Sequence, residues 1–296
     1  MEQKRFEEAV LRMTQRQTVR SFSNEPIPDE VLKNILEAGI NAASGGNLQP
    51  YSIIIERERE KSQKLAKMLN YPFIGNAAVN LLVLMDWHKL AVYSKCRQAP
   101  FIENYSTNHF FIAWDDAVLC AQAMETAAWL YGIGTCFIGH VMDCGNALKS
   151  MYHLPDMTYP VLLLSMGYPK NLTPKPRKLS LDLMVFEGEY PALREEQICA
   201  AFDQKYEGKK LPLPSDENVR AERISKFRRA METVYSAEET EEIIQEVIRR
   251  GYFSEIQRLF GIHYHPDREI GNELLGYFQE HKLYPFTDAL NKQEEE

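Results

Sequence analysis

What most constrains this chain is the interleaving of three apolar runs with helical patterns: the β-branched Tyr51-Ser-Ile-Ile-Ile55, Val79 to Met85 and Tyr159 to Met166. Each run has strand length and ends at a charge or a turn former, so together they predict a buried sheet with helices packed on it, an α+β fold. Phe6, Val10 and Met13 recur at helical spacing, which predicts a short amphipathic helix over residues 2–14. A second helix opens at Pro28, carries Asp29 and Glu30 at the positive end of its dipole, uses Val31, Leu32, Ile35 and Leu36 as its buried stripe, and stops near Gly39. Residues 114–131 read as a long apolar helix, residues 135–138 as a short strand, and Asp143 as the cap of a helix running to Tyr152.

Past residue 200 the strand signals vanish, and helical patterns take over at 219–234, 237–250, 252–260 and 269–280. That stretch carries −6 of the chain's net charge of −8. Residues 1–199 are therefore expected to form one domain and residues 200–296 a C-terminal helical extension with a disordered tail at 292–296. The apolar stripe Ile243, Ile244, Val247 and Ile248 must be covered by a partner subunit, by the mouth of a ligand site or by the extension's own helices.

Composition narrows the function classes. With 296 residues, 45% hydrophobic and 26% charged, the chain can bury a sizeable core and is not a disordered segment. Its acidic balance argues against a nucleic-acid partner held by counterion release, so any anion must meet a local cluster of cations. Cys96, Cys120, Cys136, Cys144 and Cys199 form an odd set without a CxxC pair, so neither a disulfide framework nor a metal site is expected. No signal-peptide pattern or run of membrane-spanning length is present, and the expectation is a cytoplasmic protein with no membrane partner.

Gly132-Ile-Gly134 follows a helix and enters a strand, the reverse of the order that sets a pyrophosphate on a helix N-terminus, so these glycines are read as ending helix 114–131. Arg16 and Arg20 flank Thr18, which is either the compact set of guanidinium forks and a hydroxyl that a phosphate dianion wants or a solvated basic turn. Lys175 and Arg177, on either side of Pro176 in an extended segment, project to the same side and form either two further anchors or a surface pair. Ala42-Ala-Ser-Gly-Gly-Asn47 combines small side chains, accessible backbone N–H groups and an amide, which suits a planar ligand or a tight helix-to-strand turn.

Four motifs stand in order: Arg16-Gln-Thr-Val-Arg-Ser-Phe22, Ala42-Ala-Ser-Gly-Gly-Asn-Leu-Gln-Pro-Tyr51, Gly134-Thr-Cys-Phe-Ile-Gly139, and Gly167-Tyr-Pro followed by Lys175-Pro-Arg177. Over about residues 8–178 the chain thereby resembles the nitroreductase family of FMN-dependent oxidoreductases. The resemblance implies a mixed central sheet flanked by helices and an intertwined homodimer with FMN at the subunit interface. By that resemblance Arg16, Thr18, Lys175 and Arg177 would hold the FMN phosphate, with Gln17 beside them. Arg20 would sit near the pyrimidine edge of the isoalloxazine, where a cation stabilises the charge of the reduced ring. Ala43, Ser44, Gly45 and Asn47 would lie along the ribityl chain and ring, Asn70 would reach the ring's polar edge, and Ile138 with the backbone N–H groups of Gly139 and His140 would face N5 and O4.

Two departures from the family pattern stand out. Phe73 falls where some members carry a second lysine, leaving Arg20 more of the charge stabilisation, and His140 occupies a place often held by glycine. Because the flavin carries the chemistry, no catalytic side chain is assigned; His140 is a candidate proton donor or substrate contact, or else contributes its backbone alone. Phe101, Tyr105, His109, Phe110, Phe111 and Trp114 read either as a substrate lid or as core. The implied activity is a ping-pong transfer of hydride from NADH or NADPH, through flavin N5, to a small-molecule acceptor such as a nitroaromatic, a quinone or free flavin. Two alternatives stay open: the same FMN fold running dehalogenation, flavin fragmentation or dehydrogenation, and a non-enzymatic interaction protein with a vestigial flavin site.

Overall fold

A computed structural model describes residues 2–264 and 268–285; the run 292–296 lies outside the described residues. The first helices are α1 (Glu2–Thr14), α2 (Asp29–Ile40), α3 (Arg59–Met68), α4 (His88–Cys96), α5 (Thr107–Leu130) and α6 (Gly145–Tyr152). The apolar runs become β1 (Tyr51–Glu56), β2 (Val79–Asp86), β3 (Gly134–Ile138) and β4 (Thr158–Gly167), hydrogen-bonded in the order β1-β2-β4-β3. Every strand pairing in this sheet is antiparallel, and among the described residues the parallel component is an isolated bridge between Thr18 and Thr135.

The central strands β2 and β4 are buried at every position, which explains why they read as continuous apolar runs instead of alternating ones. Alternation survives in which core each residue joins. Val79, Leu81, Val83 and Met85 pack with Leu32 and Ile35 of α2 and with Ala117 and Met124 of α5. Leu82 and Leu84 face the other way, onto Leu65 and Leu69 near α3 and Leu148 of α6. Pro160 lies inside β4, where it cannot donate to the ladder, and the register slips there: Leu84 opposes Pro160 while Val83 opposes Leu162.

The second compact unit comprises Pro176–Arg268. Its elements are α7 (Leu181–Met184), α8 (Glu195–Tyr206), β5 (Lys210–Pro212), α9 (Glu217–Met231), α10 (Ala237–Arg250), β6 (Tyr252–Ser254) and α11 (Glu255–Arg258), followed by a π-helical turn at Leu259–His263. Helix α10 has the expected bounds, and Ser236 and Glu239 close its N-terminus as a capping box. Most of its stripe is covered from within: Ile244 and Val247 are buried with Phe227 and Phe253, Ile243 packs against them, and Ile248 stays exposed. Residues 252–260 are not one helix, because β6 pairs with β5 before α11 begins. Three-residue strands are too short to show an alternating pattern in sequence.

The chain then returns through α12 (Arg268–Glu280) to the first unit, which spans residues up to Lys175 and from Glu269 onward. Tyr277, Phe278 and Leu283 are buried in that unit's core. Secondary-structure texture divides the sequence at 199/200, whereas the compact units divide after Lys175 and again before Glu269. Texture reports local propensity, and α12 joins the other unit through its long-range packing. Among the described residues no helix is long and apolar enough to cross a membrane.

Candidate functional site

Leaving α1, residues 15–22 run beside β3: the Val19 N–H donates to the Thr135 carbonyl at 2.8 Å. A Cβ on Gly134 would come within 2.6 Å of Val19, so the close approach itself requires glycine there. Gly132, with φ +77°, follows the C-cap of α5 as the sequence order predicts.

The Arg16 guanidinium is gripped on one side by Glu125, to which Nε donates, and lies 3.4 Å from Thr18 Oγ1 through Nη1. Glu125 is 1% exposed and also accepts from the Thr135 hydroxyl at 3.0 Å and from Gln122 Nε2 at 2.8 Å. From the far end of the first unit, Lys175 Nζ donates to the Thr14 carbonyl. Arg16, Thr18 and Lys175 therefore meet on one five-residue stretch, and Gln17 within it has a buried Oε1 with no hydrogen-bond partner among the described residues. Arg16 and Glu125 line a cleft of about 220 Å³ with Met13, Trp129 and Phe137. Arg177 belongs to the second unit, where it donates to the Gln204 carbonyl at 2.9 Å and to the Glu207 carboxylate. Lys175 and Arg177 thus have separate partners rather than a shared one.

Arg20 is exposed and lies against Cys136, whose thiol burial pushes up while Arg20 and Arg16 pull it down. The loop after α2 is shaped by left-handed backbone at Gly46, Asn47 and Gln49, with φ of 57°, 55° and 50°. It is tethered at Gly45, whose N–H donates to both carboxylate oxygens of Asp116 at 3.0 and 3.1 Å. Burial raises the Asp116 pKa and the Gly45 N–H opposes that shift. Ser44 Oγ accepts from the Gln49 N–H, and Ala43 and Asn47 face solvent.

A third group gathers at the end of β3. Ile138 is buried while Gly139 and His140 are exposed, and His140 Nδ1 lies 2.8 Å from Asp143 Oδ2. Asp143 does not cap α6: a 3₁₀ turn at His140–Cys144 intervenes, Cys144 takes the N-cap, and the carboxylate turns back to the histidine. Asn70 is exposed at φ 56°, and the ring of Tyr71 meets both Phe73 at 5.7 Å and His140 at 6.3 Å. Phe73 also packs on Phe22 at 6.4 Å. In the aromatic stretch, Phe110 and Trp114 join the core, Phe101 packs on Trp87, and Phe111 is half-exposed. Here α5 starts at Thr107 because Ser106 caps it, accepting from the His109 N–H.

The sequence model of the nitroreductase family matches residues 13–168, more than half of the chain. This chain belongs to the nitroreductase family. Among nitroreductase relatives, an NADPH-dependent oxidoreductase of Staphylococcus epidermidis is 26% identical over 198 residues, which is 65% of this chain and 78% of that protein. One from Staphylococcus aureus is 27% identical over 193 residues, 63% of this chain and 76% of that protein. Nitroreductase A from Vibrio parahaemolyticus superposes with a TM-score of 0.61 at 27% identity, covering 66% of this chain and 82% of its own. The NADPH:FMN oxidoreductase from Vibrio harveyi complexed with NAD+ shares the fold at a TM-score of 0.67 and 20% identity, over 93% of this chain and 98% of its own.

Glu125 and Asp116 are the residues of this nitroreductase that motif reading missed, and Asp143, expected as a helix cap, partners His140 instead. Only Asp143 left a local trace, standing three positions after His140 in a turn. Glu125 and Asp116 reach their partners across 109 and 71 residues of sequence, and nothing in α5 announces them.

Proposed function

We propose that this protein is an NAD(P)H-dependent FMN oxidoreductase that passes hydride from NADPH or NADH to a small-molecule acceptor such as a nitroaromatic, a quinone or free flavin. The carrying observation is the meeting of Arg16, Thr18 and Lys175 on one stretch, beside the unpartnered carbonyl of Gln17. That donor set fits FMN, whose phosphate wants guanidinium, ammonium and hydroxyl donors and whose ribityl hydroxyls can satisfy a buried amide oxygen. When bound, FMN supplies a reversible two-electron carrier between a reduced nicotinamide and the acceptor.

The chain's own residues do the holding. Glu125 fixes the Nε side of Arg16 and leaves its outer N–H groups to face an anion. Asp116 clamps the Gly45 amide and so sets the loop along which Ala43, Ser44, Gly45 and Asn47 would line the flavin. Arg20 contributes positive charge toward the ring, Asn70 a polar group at its edge, and Ile138, Gly139 and His140 a backbone rim. Phe6, Val10 and Leu11 on α1 and Val118 and Leu119 on α5 are exposed apolar residues, a face suited to a second copy in a homodimer with FMN at the interface. The odd cysteine set without a CxxC pair suits the reducing cytoplasm.

The purified protein should be yellow, with flavin absorption between about 350 and 500 nm that NADPH or NADH bleaches in anaerobic stopped flow. A colourless protein that takes up no added FMN would overturn the proposal. A yellow protein that neither nucleotide bleaches would point instead to dehalogenation, flavin fragmentation or dehydrogenation on the same fold.

A further inference from the structure

His140 opens the 3₁₀ turn at the exposed end of β3. Its Nδ1 lies 2.8 Å from Asp143 Oδ2, so the carboxylate fixes the ring plane and keeps the proton of that side on Nδ1. Nε2 has no hydrogen-bond partner among the described residues, and the side chain is 44% exposed. Here one nitrogen is anchored and the other presented, the arrangement of an imidazole held for proton transfer.

The surroundings leave that role to the imidazole. Tyr71 meets the ring edge-on at 6.3 Å, and Phe73 continues the aromatic ledge 5.7 Å from Tyr71 while packing on the buried Phe22 at 6.4 Å. Tyr159 of β4 gives its hydroxyl to the Met142 carbonyl, and burial, followed by the Asp143 charge, pushes its pKa up, so it stays a neutral phenol. Asp143 also borders a cleft of about 490 Å³, lined with Asn146, Leu274 and Tyr277.

Resting on the flavin reading above, we infer that His140, oriented by Asp143, is the proton donor to a quinone-type acceptor seated on the Tyr71–Phe73 ledge. The acceptor gains a hydride, with its two electrons, from the reduced flavin and a proton from His140 Nε2 on a carbonyl oxygen, and leaves as the hydroquinone. Both carbonyl π bonds are consumed as the ring becomes aromatic, one oxygen ending as O–H with the hydride's hydrogen and the other with the proton given up by His140 Nε2, which regains a proton from water.

The test compares flavin-loaded wild type, His140→Gln and Asp143→Asn with a benzoquinone and with ferricyanide, which takes electrons alone and needs no proton. In His140→Gln the ratio of quinone to ferricyanide turnover should fall by about 10²-fold, and in Asp143→Asn, which keeps the imidazole but removes the carboxylate that orients it, the ratio should fall as well. Binding is read separately: hydroquinone titrated against the oxidised flavin's spectrum should bind more weakly to His140→Gln. An unchanged ratio in either variant overturns the proton-donor assignment, and so does equal slowing with both acceptors, which is what a structural role gives. Failure of the flavin reading looks different, since wild type itself would then carry no reducible flavin.

Discussion

At the residue scale the pivotal interaction is the one between Arg16 and Glu125. A carboxylate that is 1% exposed and bonded to Arg16, Thr135 and Gln122 cannot lose its cation cheaply. Arg16→Ala should lower stability by about 1–3 kcal/mol, read by urea denaturation, because Glu125 would keep its desolvation and lose its strongest donor. The same variant should bind FMN about 10- to 100-fold more weakly while riboflavin, which lacks the phosphate, changes by less than about threefold. Equal weakening of both ligands would place Arg16 away from the phosphate. The motif around Arg16 was legible in sequence because its donors lie within five residues. Its counter-charge was not, since the register of α5 against β3 is a property of the packed sheet.

At the element scale, α12 is fastened by charge. Asp156, just before β4, is 2.9 Å from Lys282 Nζ and 3.2 Å from Lys149 Nζ, with His281 Nδ1 at 3.5 Å. Hydrogen bonding from Lys282, ahead of that from Lys149, lowers the Asp156 pKa from 3.8 to about 2. A carboxyl depressed on folding adds stability above its unfolded pKa and loses it as pH falls through the folded one, so this contribution should fade between about pH 4 and pH 2. Asp156 is 40% exposed, and solvent screening keeps the effect small. Melting curves of Asp156→Asn against wild type should differ at pH 6 and converge near pH 2; a constant difference would mean that packing alone holds α12. Strands β2 and β4 were legible because central strands are apolar throughout, and the edge strand β1 because its run Tyr51-Ser-Ile-Ile-Ile55 is β-branched. The extra turns of α5 were hidden behind Ser106, and β5 and β6 behind their length.

At the scale of the whole molecule, the second unit interrupts the first. Tyr277, Phe278 and Leu283 lie in the same core as Tyr159 and Phe110, with Tyr159 stacked edge-on against Tyr277 at 5.2 Å and Phe278 at 4.9 Å. A chain ended near residue 205 would keep every expected FMN anchor in the sequence yet lose these side chains. Losing a buried aromatic costs about 3–5 kcal/mol, and losing two approaches the whole stability of a domain. Such a truncation should show collapsed near-ultraviolet dichroism and fast amide exchange in β4; native spectra would show α12 to be dispensable. The helical texture beyond residue 200 was legible, but that its last helix serves the first unit was not, because propensity says nothing about which surface an amphipathic stripe meets.

That interruption sets an order of events during synthesis. The ribosome releases β1 through β4 long before α12, so the nascent sheet waits with one wall of its hydrophobic interior open while the whole of the intervening unit is translated. The inserted unit can settle first, and the older-born portion closes last, when Tyr277 and Phe278 emerge from the exit tunnel.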